Sequence, residues 1–362
     1  MATTFKKFTS NDTVSTRTLL HEAIPLTGTI VSGTYFETQT VGSKGTNIKN
    51  YSHGMFQSVF DYPYLSSSAN HVFDIAIGIA SGSDLSGTST VQNAKKCAIY
   101  NQMAQVLVGH DVTGGIQKFD QDGNIVGGGT KLQEVFFMNF SRLLSKDEIK
   151  KGSFSMGFAT GGLTTATHSL LTINDSGATS DYRVNSPAGE YAVLNGSDGN
   201  KHGLLYYQAG IAVVTASIFV QKHETVPTST TIDGGFGQPH TINTAYDTSS
   251  VDAVFTGSNI TASCDGLRNR IHTISFNNTT ELNSTIYFCR ANHNEFNYSS
   301  NPTYITASKL RIKNVSTDTP VSYITSVGLY SADNELLAVA KLSEPLKKDP
   351  SNELTLRVRL DY

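Results

Sequence analysis

From Glu353 to Leu360 apolar and polar side chains alternate without a break. Leu354, Leu356, Val358 and Leu360 fall on one side, and Thr355, Arg357, Arg359 and Asp361 on the other. A period of two is that of a β-strand with one covered face. Shorter stretches of the same kind predict strands at Phe154–Phe158, Leu170–Ile173, Glu190–Leu194, Gly203–Tyr207, Ile211–Val220, Ile271–Phe276, Ser284–Arg290, Tyr304–Ile312, Val321–Tyr330 and Glu335–Leu342. Two runs are apolar almost throughout, His71–Ala80 and Glu134–Phe140, and predict strands covered on both faces. Val14–Leu20 fits a short strand or helix.

Only Gln92–Val108 repeats at helical spacing. Ala94, Cys97, Ala98, Ala104 and Leu107, with Tyr100 and Met103 beside them, share one face, and Gly109 ends the run. Ser145 with Glu148 has the spacing of a capping box and predicts a short helix to Lys151, and Leu267–Arg270 predicts a helical turn. Between the strands, Asn174–Gly177, Asn195–Gly199, Ala332–Asn334 and Lys347–Asn352 carry the Asn, Asp and Gly that tight turns use. Gly127–Gly129 and Pro227–Gln238 read as loops.

Composition supports the strands. Charged residues are 16% of the 362, and Ser, Thr, Asn and Gly fill the gap. That balance suits pleated surfaces and turns better than long exposed helices. The expected fold is mainly β, with α+β character in the N-terminal half and antiparallel sheets ending in a β-sandwich-like domain. Four consecutive segments are expected: an extended arm over 1–50, an α+β domain over 51–160, a β-rich domain over 161–290 and the C-terminal domain over 291–362. A polar surface poor in charge favours large shared interfaces, where unpaired charge is costly to bury.

The net charge is −3, so no broad basic field invites nucleic acid. No apolar stretch is long enough to span a membrane, and the N-terminus lacks a signal-peptide core. Cys97, Cys264 and Cys289 are too far apart for a CxxC metal motif and odd in number, which points to small buried apolar residues. Asp120-Gln-Asp-Gly-Asn124 starts like a calcium loop, but position twelve is Lys131 rather than a bidentate Glu, so it reads as an acidic turn. His110-Asp111 and His21-Glu22 are adjacent pairs that a strand points to opposite faces. With no Gly-x-Ser-x-Gly, His-Glu-x-x-His, phosphate loop or dinucleotide fingerprint, the sequence predicts a protein that is not an enzyme. No catalytic, cofactor-binding or metal-binding residue is expected.

The C-terminal third carries a resemblance. Asn294-Glu-Phe-Asn-Tyr-Ser-Ser-Asn-Pro-Thr-Tyr304, Tyr323-Ile-Thr-Ser-Val-Gly-Leu-Tyr330, Glu335-Leu-Leu-Ala-Val-Ala-Lys-Leu-Ser-Glu-Pro345 and Leu354–Tyr362 resemble structural proteins of T4-like contractile-tailed bacteriophages, notably cyanophage-type myoviruses. It covers about residues 291–362, and Gly203–Val214 resembles a further segment of such proteins. The resemblance implies a structural tail or baseplate component, made in the host cytoplasm and placed in the virion. It would act by assembly with other tail and baseplate proteins, in multiple copies around a symmetric particle. The alternative is a receptor- or carbohydrate-binding tail-fibre protein. Phe296, Tyr298 and Tyr304, aromatic residues crowded in one loop, are the candidate interaction residues.

Overall fold

The computed structural model describes residues 5–29, 46–82, 90–124, 129–159, 170–219, 231–232, 240–241, 260–299, 305–306, 309–310, 315 and 317–362. They gather into two compact units. The larger is Leu20–Thr280; the smaller joins Met1–Leu19 to Glu281–Tyr362. The sequence reading places boundaries near 50, 160 and 290, and these two units divide at Leu19–Leu20 and Thr280–Glu281.

In chain order the strands are β1 (Thr13–Ile24), β2 (Ile48–Asn50), β3 (Gln57–Phe60), β4 (His71–Ile79), β5 (Glu134–Phe140), β6 (Glu148–Ile149), β7 (Ser155–Ala159), β8 (Leu170–Asn174), β9 (Arg183–Ser186), β10 (Gly189–Gly196), β11 (Lys201–Tyr206), β12 (Ile211–Thr215), β13 (Thr231–Ile232), β14 (His240–Thr241), β15 (Ile271–Ala291), β16 (Ile305–Thr306), β17 (Lys309–Leu310), β18 (Ser322–Tyr330), β19 (Leu336–Lys348) and β20 (Leu354–Asp361). The α-helices are α1 (Val91–Leu107), α2 (Arg142–Ser145) and α3 (Ile260–Arg270). The fold is mainly β and antiparallel, with few helices, as the strand-rich pattern predicts.

Within the larger unit, to which β15 contributes Ile271–Thr280, the strands pair in the order β15-β7-β8-β10-β11-β12-β5-β4-β3-β2. β5 and β4 lie towards the β2 end of this order, and Phe73, Ile75, Ile77, Val135, Phe136 and Met138 are fully buried. Their largely apolar runs follow from helices on both faces. Gly78 lets α1 approach: a Cβ there would lie 3.0 Å from the Tyr100 backbone and 2.7 Å from the Phe137 ring. On the other face Arg268 of α3 donates to Gln57, whose register partner is Ile75. The Tyr100 hydroxyl then bridges two loops, donating to the Leu132 carbonyl at 2.7 Å and accepting from the Phe119 amide at 3.1 Å.

Several local expectations change. Thr90 caps α1 by accepting from the Asn93 amide at 3.2 Å, but the buried face of α1 holds Asn93, Lys96, Ile99, Tyr100, Ala104 and Leu107. Ala94 and Ala98 are exposed. The strand crossing beneath α1 selects the face, and small alanines fit either side. Ser145 ends a helix rather than starting one, because Lys146 turns left-handed (φ 55°) and Glu148–Ile149 join β15 as β6. The strand beginning at Ile211 stops at Thr215 and passes into a 3-10 turn, Ala216–Phe219. Val14–Leu20 lies within a strand running on to Ile24.

The two strands expected at Ile271–Phe276 and Ser284–Arg290 are one, β15. The polar stretch between them stays extended because its side chains have partners. Buried Asn278 donates to the Leu144 carbonyl at 2.9 Å and accepts from the Glu22 amide at 3.1 Å, and Thr279 meets His21 Nδ1 at 3.1 Å. Of the strand expected at Tyr304–Ile312, only β16 and β17 fall within the described residues. Most of Pro227–Gln238, and Gly127–Gly128, lie outside them.

Candidate interaction surface

The large unit's core spans Ile24 to Ile274 and on to Phe276. Among the described residues the smaller unit has no counterpart. Among its described residues only Ala291 and Leu329 are buried apolar side chains. Its strands nevertheless carry a full apolar pattern. β15 and β20 pair from Ser284↔Asp361 to Ala291↔Leu354, so Thr285, Tyr287, Cys289 and Ala291 share a face with Leu360, Val358, Leu356 and Leu354. The period-two reading of β20 thus gives the correct register face, yet these leucines stay only half-buried.

The start of the chain packs on this same unit. The Phe5 ring lies 4.7 Å from that of Tyr330, and Phe8 lies 5.4 Å from Tyr287. Lys6 pairs with Glu295, and Asp12 with Arg290 at 2.9 Å. Residues 5–12 of the expected arm therefore contact their own chain. Residues 30–45 lie outside the described set.

Two of the three sequence-predicted residues come together on the loop after β15. Phe296 is 47% exposed in a left-handed conformation (φ 57°), and Tyr298 is 54% exposed. Tyr304 lies outside the described residues. The loop is held from beneath by Lys348, whose side chain is fully buried. Its ammonium donates to Asn297 Oδ1 at 2.7 Å, the Asp349 carbonyl at 2.9 Å and the His293 carbonyl at 3.3 Å. Three oxygens for three N–H donors satisfy a buried cation. Ser322, register partner of Lys348, donates to the Phe296 carbonyl. Nothing in the sequence around Lys348, which follows another lysine in a turn-like stretch, signals this role.

The hairpin of β18 and β19 forms a two-stranded sheet of its own. Tyr323, Tyr330, Leu336, Leu337 and Val339 are exposed on it. Sequence periodicity places apolar residues on strands but does not say which face a neighbour covers, so it does not single out these positions. A shallow cleft of about 430 Å³ lies among Asn11, Phe288, Arg290, Asn292, Glu353 and Thr355. Its charges are already engaged, Arg290 by Asp12 and Glu353 by His293 at 3.4 Å.

Elsewhere polar clusters brace the fold. Lys131, the residue that breaks the calcium-loop pattern, pairs with Asp120 and supplies its counter-charge. Asp111 caps its own turn through the Thr113 and Gly115 amides, each at 2.8 Å, and hydrogen bonds from Thr113 hold its carboxyl below the usual range. Buried Asp175 accepts from Tyr207 and Gly152, both at 2.8 Å, and from the Phe154 amide at 2.9 Å. Among the described residues no group of three His, Cys, Asp or Glu side chains is placed to hold a metal ion. No helix of the described residues is long and apolar enough to cross a membrane. Comparison with known protein families, curated proteins and solved structures returns no match.

Proposed function

We propose that this chain is a structural component of a contractile phage tail or baseplate, acting through protein–protein assembly. The observation that carries the reading is the smaller unit, which has strands, apolar residues and defined register but, among its described residues, almost no buried apolar side chains. A unit that orders this much chain gains little from internal burial, since each ordered residue costs about 1–2 kcal/mol of backbone entropy. Contact with other chains supplies the missing burial. The resemblance carried by residues 291–362 falls on that same unit and supports the reading.

The exposed aromatic loop fits this role. Phe296 and Tyr298 are the residue types that anchor interfaces, large in area and low in rotamer freedom. Lys348 fixes their backbone before any partner arrives, which lowers the ordering cost of contact. Dissecting purified particles and identifying the chain in each fraction by mass spectrometry tests the reading. The chain is expected in the tail or baseplate fraction, in several copies per particle. Its absence from mature particles of the phage that encodes it would overturn the proposal.

A further inference from the structure

We infer that the β18–β19 hairpin is a two-fold docking surface for a second copy of this chain. The inference rests on the assembly reading and names the partner of one face. A lone hairpin is marginal in water and needs a further layer against its apolar face. Register puts Gly328 opposite Val339, Ser326 opposite Lys341 and Tyr330 opposite Leu336. Tyr330 and Leu336 lean over Gly328, where a Cβ would stand 2.9 Å from Tyr330 Cε2 and 3.4 Å from Leu336 Cδ1. The Phe5 ring packs against Tyr330 at a tilt of 52° and extends the patch.

Phe5, Tyr330, Leu336 and Val339 are 39%, 45%, 53% and 54% exposed. Four half-exposed side chains of this size offer roughly 300–400 Å² of apolar surface. That approaches the apolar share of the ~800 Å² each partner gives to a standard interface. Growth by edge pairing is disfavoured. The register breaks between Leu329 and Tyr330 and between Ile324 and Ser326, and Pro345, Lys341 and Glu344 line β19. Bulges, proline and charge are the devices that stop a strand from accepting another. The face is what remains.

Charge along β19 selects a second copy. Asp333 and Glu335 mark the turn, Leu336–Ala340 are apolar, and Lys341 closes the run. Neither Glu335 nor Lys341 forms an ion pair with a described residue. Two hairpins crossing antiparallel about a two-fold axis lay apolar centre on apolar centre. The acidic turn of each then meets Lys341 of the other. An isologous interface requires such a self-complementary patch.

Light scattering of the full chain across a concentration series tests this. The natural chain is expected to dimerise, and Val339→Lys to weaken the dimer at least tenfold. Glu335→Lys and Lys341→Glu are each expected to weaken it several-fold. Mixed one to one, these two variants are expected to form a heterodimer tighter than either homodimer, because both contacts in the mixed pair join Lys to Glu. Circular dichroism melts check that each variant folds, and the two charge variants keep the test decisive if Val339→Lys does not. A monomer throughout, a dimer indifferent to these substitutions, or a mixture no tighter than its components would overturn the inference. A chain found in tails yet monomeric in solution would sink this proposal and leave the assembly reading standing.

Discussion

Lys96 is a base inside a strand-rich core. It is fully buried, and burial pulls its ammonium down to about 8, with the Cys264 and Cys97 thiols opposing the shift. The folded value lies below the ordinary one of 10.5, so between about pH 8 and pH 10.5 the unfolded chain binds more protons. Stability contributed by this group therefore rises with pH across that window, by about 3 kcal/mol in all. Comparing denaturant melts of the natural chain and Lys96→Met from pH 7.5 to 10.5 isolates the effect from other titrations. The variant is expected to lack the alkaline rise, and parallel curves would refute the assignment. Asp175 makes the opposite kind of statement, a buried acid supplied with three donors. Asp175→Ala orphans two amides and a hydroxyl and is expected to cost about 2–4 kcal/mol, against about 1 kcal/mol for Tyr207→Phe, read from urea midpoints.

At the scale of elements, α1 shows what the sequence could and could not reveal. Its extent was legible within one residue at each end, because Gly109 and the periodic run mark the helix. Its buried face was not, because two of the residues on it, Asn93 and Lys96, are polar. β5 was legible in full, since seven residues with a nearly unbroken apolar run leave one choice. β15 resembles two strands in the sequence because its middle is polar, and the partners that keep it extended, Leu144 and Glu22, are distant in sequence. Of the candidate interaction residues, Phe296 and Tyr298 were findable as crowded aromatics, whereas Lys348 was not, since a buried cation and a surface one look alike in sequence. Gly78→Ala tests the packing of α1 on β4. The added methyl meets backbone at 3.0 Å, and a loss of about 1–3 kcal/mol is expected in thermal or urea unfolding.

For the whole molecule, the contrast in burial predicts unequal melting. The larger unit has a continuous core and is expected to unfold cooperatively at a temperature independent of protein concentration. The smaller unit is expected to melt first, in a transition that moves upward as concentration rises, because association stabilises it by mass action. Differential scanning calorimetry over a fiftyfold concentration range distinguishes this from one transition at fixed temperature, which would mean that the smaller unit has sufficient internal stability.

Lys348 has one more consequence, for chemical labelling. A fully covered amine engaged by three oxygens is shielded from reagents that acylate lysine. Its reactivity therefore reports whether the aromatic loop is still seated. Slow modification of Lys348 beside rapid modification of exposed Lys201 is the signature of an intact loop, and equal rates mean that the seat has opened.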